Sequence, residues 1–119
     1  MITPKKSLGQ HWLNDQESLD AIVNVSNILP NETVLEIGPG LGALTQKLLD
    51  KGAIVKAVEL DENLGADLSK NVTDPAGKLS VINQDILKFD FGTLPKNYKV
   101  VANIPYYLTS NLLRLLSRA

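Results

Sequence analysis

Three observations predict an α/β fold built on a parallel sheet. Four short apolar runs, "TVLEIG", "IVKAVEL", "LSVINQD" and "YKVVANI", recur along the chain, and three of them are followed by a stretch with helical spacing. The unusual polar residues gather at the C-terminal ends of these runs. Strands alternating with helices are the pattern of a parallel sheet, and 119 residues suffice for one modest core, so one domain or part of one is expected.

The elements follow in order. After a polar, basic start, "NDQESLDAIVNVSNI" offers Asn14 or Asp15 as a helix cap and places Leu19, Ile22, Val23 and Ser26 at helical spacing; Pro30 closes that helix. "TVLEIG" is the first strand, "LGALTQKLLDKG" an amphipathic helix closed by Gly52, and "IVKAVEL" the second strand. "DENLGADLSKNV" is a weaker helix, since Gly65 inside it costs about 1 kcal/mol relative to alanine. A turn, "DPAGK", leads into "LSVINQD", then come a loop from Ile86 to Asn97, the strand "YKVVANI" and the helix "TSNLLRLLSR", whose leucines are most simply core. Right-handed crossovers put the helices on the faces of the sheet and all strand C-terminal ends along one edge.

Composition excludes several function classes. With 12 basic and 13 acidic residues there is no overall basic field, so a nucleic-acid partner requires a local patch. The absence of cysteine removes disulfides, thiolate metal sites and thiol nucleophiles, and a single histidine, His11, argues against a zinc site or a Ser-His-Asp triad; no metal is expected. No apolar run approaches the roughly 20 residues of a membrane span, and "MITPKKSLGQ" lacks the apolar stretch of a signal peptide. A cytoplasmic protein is expected. Lys47, Lys51, Arg114 and Arg118 read as solvated helix surface, whereas Lys5 and Lys6 suit either a solvated tail or an RNA phosphate near the site entrance.

The polar clusters at the strand ends point to a nucleoside-containing cofactor. In "EIGPGLG", Gly38, Gly40 and Gly42 stand between a strand and a helix start, where small residues let backbone amides approach a ligand; a plain tight turn is the bland alternative. Glu59, about 20 residues further on, is placed to accept hydrogen bonds from both ribose hydroxyls. A pyrophosphate would be repelled by Glu36 just before the glycine loop, whereas a sulfonium and an amino group would welcome it, which favours S-adenosylmethionine over NAD. Asp85, with Ile86 beside it, is placed to accept from an adenine amino group; the alternative is a helix or loop cap.

"KKSLGQHWLND", "VLEIGPGLGALT", "AVELD", "VINQDIL" and "VVANIPYYLTS", in this order and spacing, resemble the ribosomal small-subunit RNA adenine dimethyltransferases, the kasugamycin-sensitivity enzymes, which are related to the erythromycin-resistance methyltransferases. The resemblance runs from about Lys5 to the chain end. It implies a Rossmann-like S-adenosylmethionine-dependent methyltransferase fold, with His11, Leu13, Gly38, Glu59, Asp85 and Asn103 lining the cofactor site and small-subunit ribosomal RNA or a pre-ribosomal particle as partner. His11 and Trp12 depart from the asparagine and phenylalanine most common there, which makes the contact at His11 less secure than the others; a hydrophobic latch over the first helix is the alternative. The remaining strands and a C-terminal helical domain of that family have no counterpart, so residues 1–119 are expected to be the N-terminal part of a catalytic domain, with little activity alone. In the strand order 3-2-1-4 implied by that arrangement, the fourth strand is an exposed edge, and self-association through it or the last helix is expected.

The chemistry expected at the fourth strand end follows from adenine itself. Its exocyclic amine is a poor nucleophile because the lone pair is delocalised into the ring. Asn103 and the main-chain carbonyl of Ile104 are expected to accept the two amine protons and turn the lone pair toward the sulfonium methyl, while Pro105 keeps Ile104 extended. Tyr106 offers a face on which a flipped-out adenine stacks, and Tyr107 reads more simply as packing. Two other functions stay open at this point: a nicotinamide-dependent oxidoreductase half-domain, which leaves residues 103–106 unexplained, and a non-catalytic RNA-binding or ribosome-assembly module.

Overall fold

The computed structural model describes residues 16–102. Within them the order is α1 (Gln16–Ser26), β1 (Thr33–Ile37), α2 (Ala43–Asp50), β2 (Ile54–Glu59), α3 (Glu62–Asn71), β3 (Leu79–Asn83) and β4 (Lys99–Ala102), with two single 3-10 turns, Ile86–Lys88 and Phe91–Thr93, before β4. Each of the four expected strands and three of the expected helices is present at its expected place. The caps considered for α1, Asn14 and Asp15, and the last helix lie outside the described residues, as do His11, Leu13, Asn103, Ile104, Pro105 and Tyr106.

All strand pairs are parallel, in the order β3-β2-β1-β4. Ile37 stands opposite both Val58 and Ala102, and Glu59 opposite Asn83, so the four strands end nearly level.

Strand alternation divides the core into two layers. Val34, Val55, Ala57 and Val101 face Leu19 and Val23 of α1, Leu44 and Leu48 of α2 and Leu68 of α3. Leu35, Ile37 and Val58 face the other way, with Ile82 and Val100 beside them. The described α-helices therefore all cover one face; the helix expected after β4 lies outside the described residues. The reason is the strand order: β1 to β2 to β3 advances in one direction, so right-handed crossovers put α2 and α3 on one side. The return from β3 to β4 reverses direction and passes over the opposite face.

That return is more than a loop. Asp85 and Asp90 each cap a turn, accepting from the amides of Leu87 (3.0 Å) and Gly92 (2.9 Å). Phe89, Phe91, Leu94 and Tyr98 then pack over the second face, with Phe89 edge-on to Phe91 at 5.3 Å. Lys47 also departs from expectation: it pairs with Asp20 at 2.7 Å and ties α2 to α1 instead of standing free in solvent.

Candidate active site: the C-terminal edge of the sheet

The parallel register brings Glu36, the glycine loop, Glu59 and Asp85 to one edge of the sheet, at the point where the strand order reverses between β1 and β4. In open α/β sheets that is where ligands bind. Asn103 follows Ala102 in sequence, but its contacts lie outside the described residues.

Glu59, the last residue of β2, is the hub of this edge and only 7% exposed. Its Oε1 accepts the Gly40 amide at 3.0 Å and its Oε2 accepts the Asp61 amide at 3.0 Å. Asp61 in turn caps α3 by accepting from Asn63 (2.8 Å) and Leu64 (3.0 Å). The main-chain carbonyl of Glu59 accepts from the Asn83 side chain at 2.8 Å and from the Gln84 amide at 3.0 Å. One carboxylate thus joins the glycine loop to the start of α3. A carboxylate offers about four lone-pair sites, so two amides leave acceptor capacity for a further pair of donors.

The glycine loop turns sharply. Gly40 has φ 58° and nothing within 4 Å of where a Cβ would stand, whereas a Cβ on Gly42, at φ 98°, would sit 2.9 Å from both Leu68 Cδ1 and Val72 Cγ1. Gly40 therefore borders open space, and Gly42 is a packing position against α3. Gly38 donates its amide to the Val58 carbonyl at 2.9 Å and keeps the loop start in line with the sheet. Gly42 also begins α2 with no side-chain cap, so the first amides of that helix depend on other partners.

Glu36 lies on the helix-covered face of β1, fully buried, between Ala57 and Val101 in register. The Thr45 hydroxyl donates to its Oε1, while its Oε2 is buried with no hydrogen-bond partner among the described residues. Burial pushes its pKa up from 4.5 to about 7, the Thr45 bond opposing and the nearby Glu59 charge adding to the rise.

Asp85 is half-buried. Its Oδ1 holds the Leu87 amide, which is the capping role weighed for it, and Oδ2 has no hydrogen-bond partner among the described residues; Ile86 packs its side chain toward the second core layer. Three leucines beside these polar groups are exposed: Leu41 (64%) in the glycine loop, Leu60 (71%) after Glu59 and Leu87 (55%) after Asp85. They give the edge apolar surface of the kind a planar base requires. Among the described residues no group of histidine, cysteine or carboxylate side chains is arranged to hold a metal.

Sequence reasoning passed over Thr45 and Asn83. Thr45 carried a signal, a hydroxyl next to Leu44 and three residues before Leu48 on the buried stripe of α2. Asn83 carried a weaker one, an amide ending a strand level with Glu59.

Residues 1–117 match the family model described as ribosomal RNA adenine dimethylase. The chain is 51% identical, over 90% of its length, to a mitochondrial ribosomal RNA small subunit methyltransferase of Arabidopsis thaliana, and 46% identical, over 94% of its length, to ribosomal RNA small subunit methyltransferase A of Deinococcus radiodurans. It spans 28% and 38% of these two relatives. Its fold superimposes on a dimethyladenosine transferase of Plasmodium falciparum with a TM-score of 0.75 at 32% identity, covering 88% of this chain and 38% of that one. With the family model matched over residues 1–117, relatives 46–51% identical over nearly the whole chain and the fold shared, one conclusion follows: the chain belongs to the ribosomal RNA adenine dimethylase family.

Proposed function

We propose that this chain forms the cofactor-binding part of an S-adenosylmethionine-dependent methyltransferase acting on adenine amino groups of small-subunit ribosomal RNA. The observation that carries this reading is the Glu59 carboxylate. It is anchored by Gly40 and Asp61, retains acceptor capacity, and stands beside the open space at Gly40.

The residues fit the cofactor. Glu59 would accept from the ribose hydroxyls, Asp85 Oδ2 from the adenine amine, and the surface offered by Leu60 and Leu87 would hold the ring. Gly38 and Gly40 would admit the methionine part, and Glu36 supplies an acidic group near its cationic half. When bound, the cofactor supplies the electrophilic methyl. His11, Leu13 and residues 103–106 complete the site in this proposal, with Asn103 and Ile104 accepting the amine protons of the target base and Tyr106 stacking on it.

The chain's share of its relatives' lengths supports reading it as part of a longer protein; that this part is the N-terminal portion of the catalytic domain is a proposal from the family resemblance. Action on ribosomal RNA in the cytoplasm is part of this proposal. Among the described residues no helix is long and apolar enough to cross a membrane. The outer side of β4 has no strand partner among the described residues, which supports self-association through that edge.

Calorimetric titration with S-adenosylmethionine, with Glu59→Ala and Asp85→Ala in parallel, tests the cofactor assignment. Saturable binding lost in both variants is expected; tighter binding of NADH would refute it. In the complete protein, Asn103→Ala is expected to abolish methyl transfer to small-subunit particles.

A further inference from the structure

Glu36 is a buried carboxyl that its surroundings do not satisfy. It is 0% exposed, and among the described residues only one of its oxygens is bonded, by a neutral hydroxyl, Thr45. A carboxyl retained for structure alone is normally paired with a cation or fully hydrogen-bonded.

Among the described residues, the groups facing it supply no cation. From α2 it meets Thr45; Ala57 of β2 and Val101 of β4 flank it in register. Among the described residues, the charge that acts on it is Glu59 of β2, which has the same sign. Lys47 of α2 is engaged with Asp20 of α1, and Lys99 of β4 with Glu32. Two residues further along the chain is Gly38, the start of the loop at which the cofactor is placed.

We propose that Glu36, held by Thr45, reads the charge of the methyl donor: it carries a proton in the ligand-free protein and gives it up to solvent when the sulfonium binds, so the site prefers the donor to its neutral thioether product. This inference rests on the cofactor assignment above. The exchange balances: one O–H bond of the carboxyl breaks, the proton leaves to buffer, and the resulting carboxylate faces the fixed positive charge. The elevated pKa of Glu36, about 7, places the exchange in the neutral range. Discharge of the sulfonium by methyl transfer would restore the proton and loosen the product.

The test is calorimetry of the 119-residue chain with S-adenosylmethionine and with S-adenosylhomocysteine, each in two buffers of different ionisation enthalpy, which counts protons released per ligand bound. About half a proton is expected with the donor at pH 7 and clearly less with the product, which keeps the α-ammonium but lacks the sulfonium charge. Affinity for the donor should rise about tenfold between pH 6 and pH 8, and affinity for the product by less. Glu36→Gln should abolish both effects. Thr45→Val, which keeps the shape and removes the bond opposing protonation, should move the transition to higher pH. Donor binding without proton release, or equal release with donor and product, overturns this inference and leaves the cofactor assignment standing; binding of neither ligand overturns both.

Discussion

The Gly40 amide donates to Glu59 Oε1 at 3.0 Å, across 19 residues of sequence, and so joins the loop after β1 to the end of β2. The same carboxylate takes the Asp61 amide on its other oxygen. The acidic residue is therefore part of the framework that shapes the glycine loop as well as a candidate ribose acceptor.

Removing that carboxylate should show both roles. Glu59→Ala leaves two part-buried amides without their acceptor and is expected to lower stability by about 1–3 kcal/mol. Glu59→Gln keeps one acceptor oxygen and should cost less, while still weakening cofactor binding. Urea denaturation read beside calorimetry separates the two, and an alanine variant of unchanged stability would refute the framework role.

The loop glycines should divide in the opposite sense. Gly42→Ala combines φ 98° with contacts of 2.9 Å to Leu68 and Val72, so it is expected to destabilise by about 1–3 kcal/mol. Gly40→Ala, at φ 58° with open space around the new methyl, should cost only about 1–2 kcal/mol in stability but place the methyl where the cofactor lies. Thermal unfolding with and without S-adenosylmethionine checks this: the Gly40 variant should lose the stabilisation by ligand.

The strands, their ends and the glycine loop were legible because each is written locally, in apolar runs, a glycine triplet and acids at the ends of the first three runs, whereas the strand order came only with the family resemblance. Other features were not, because they arise between elements. Gly65 looks like a defect within α3, yet a Cβ there would stand 3.3 Å from the Asn83 amide that bonds Glu59, so its small size serves the close approach of α3 to β3. The 86–97 segment gives no helical or strand period, and its aromatics become a core layer only once the β3 to β4 return crosses the sheet. Thr45 needs Glu36 opposite it to be more than a polar residue on a helix.

Glu36 makes stability depend on pH in a definite direction. Its pKa rises from 4.5 to about 7 on folding, so between those values the folded chain holds a proton that the unfolded chain has lost. Stability is then greatest below pH 4.5 as far as this group is concerned, and falls as pH rises to about 7, on the order of 3 kcal/mol in all. Glu32 acts in the opposite sense at lower pH. The Leu29 amide first, and Lys99 second, hold its carboxyl below the usual value, and the stability this gives is lost on acidification below pH 4.5. Denaturation midpoints of the wild type and Glu36→Gln between pH 5 and pH 8 check the first effect: the fall should be largely absent in the variant.

Self-association should proceed through the outer side of β4. Next to it, Ser18, Ala21, Ile22 and Val25 of α1 and Val100 to Ala102 of β4 line an open groove of about 430 Å³, and Val25 is 86% exposed. An edge strand with no outer partner among the described residues, beside such a groove, offers both backbone groups and apolar surface to a second copy. Val25→Lys leaves the buried core untouched, because Leu19 and Val23 carry the packing of α1, yet places a charge at the groove. Light scattering coupled to sizing is expected to show mass rising with concentration for the wild type and a shift toward monomer for Val25→Lys. A wild type that stays monomeric at high concentration would rule out the edge as a contact surface.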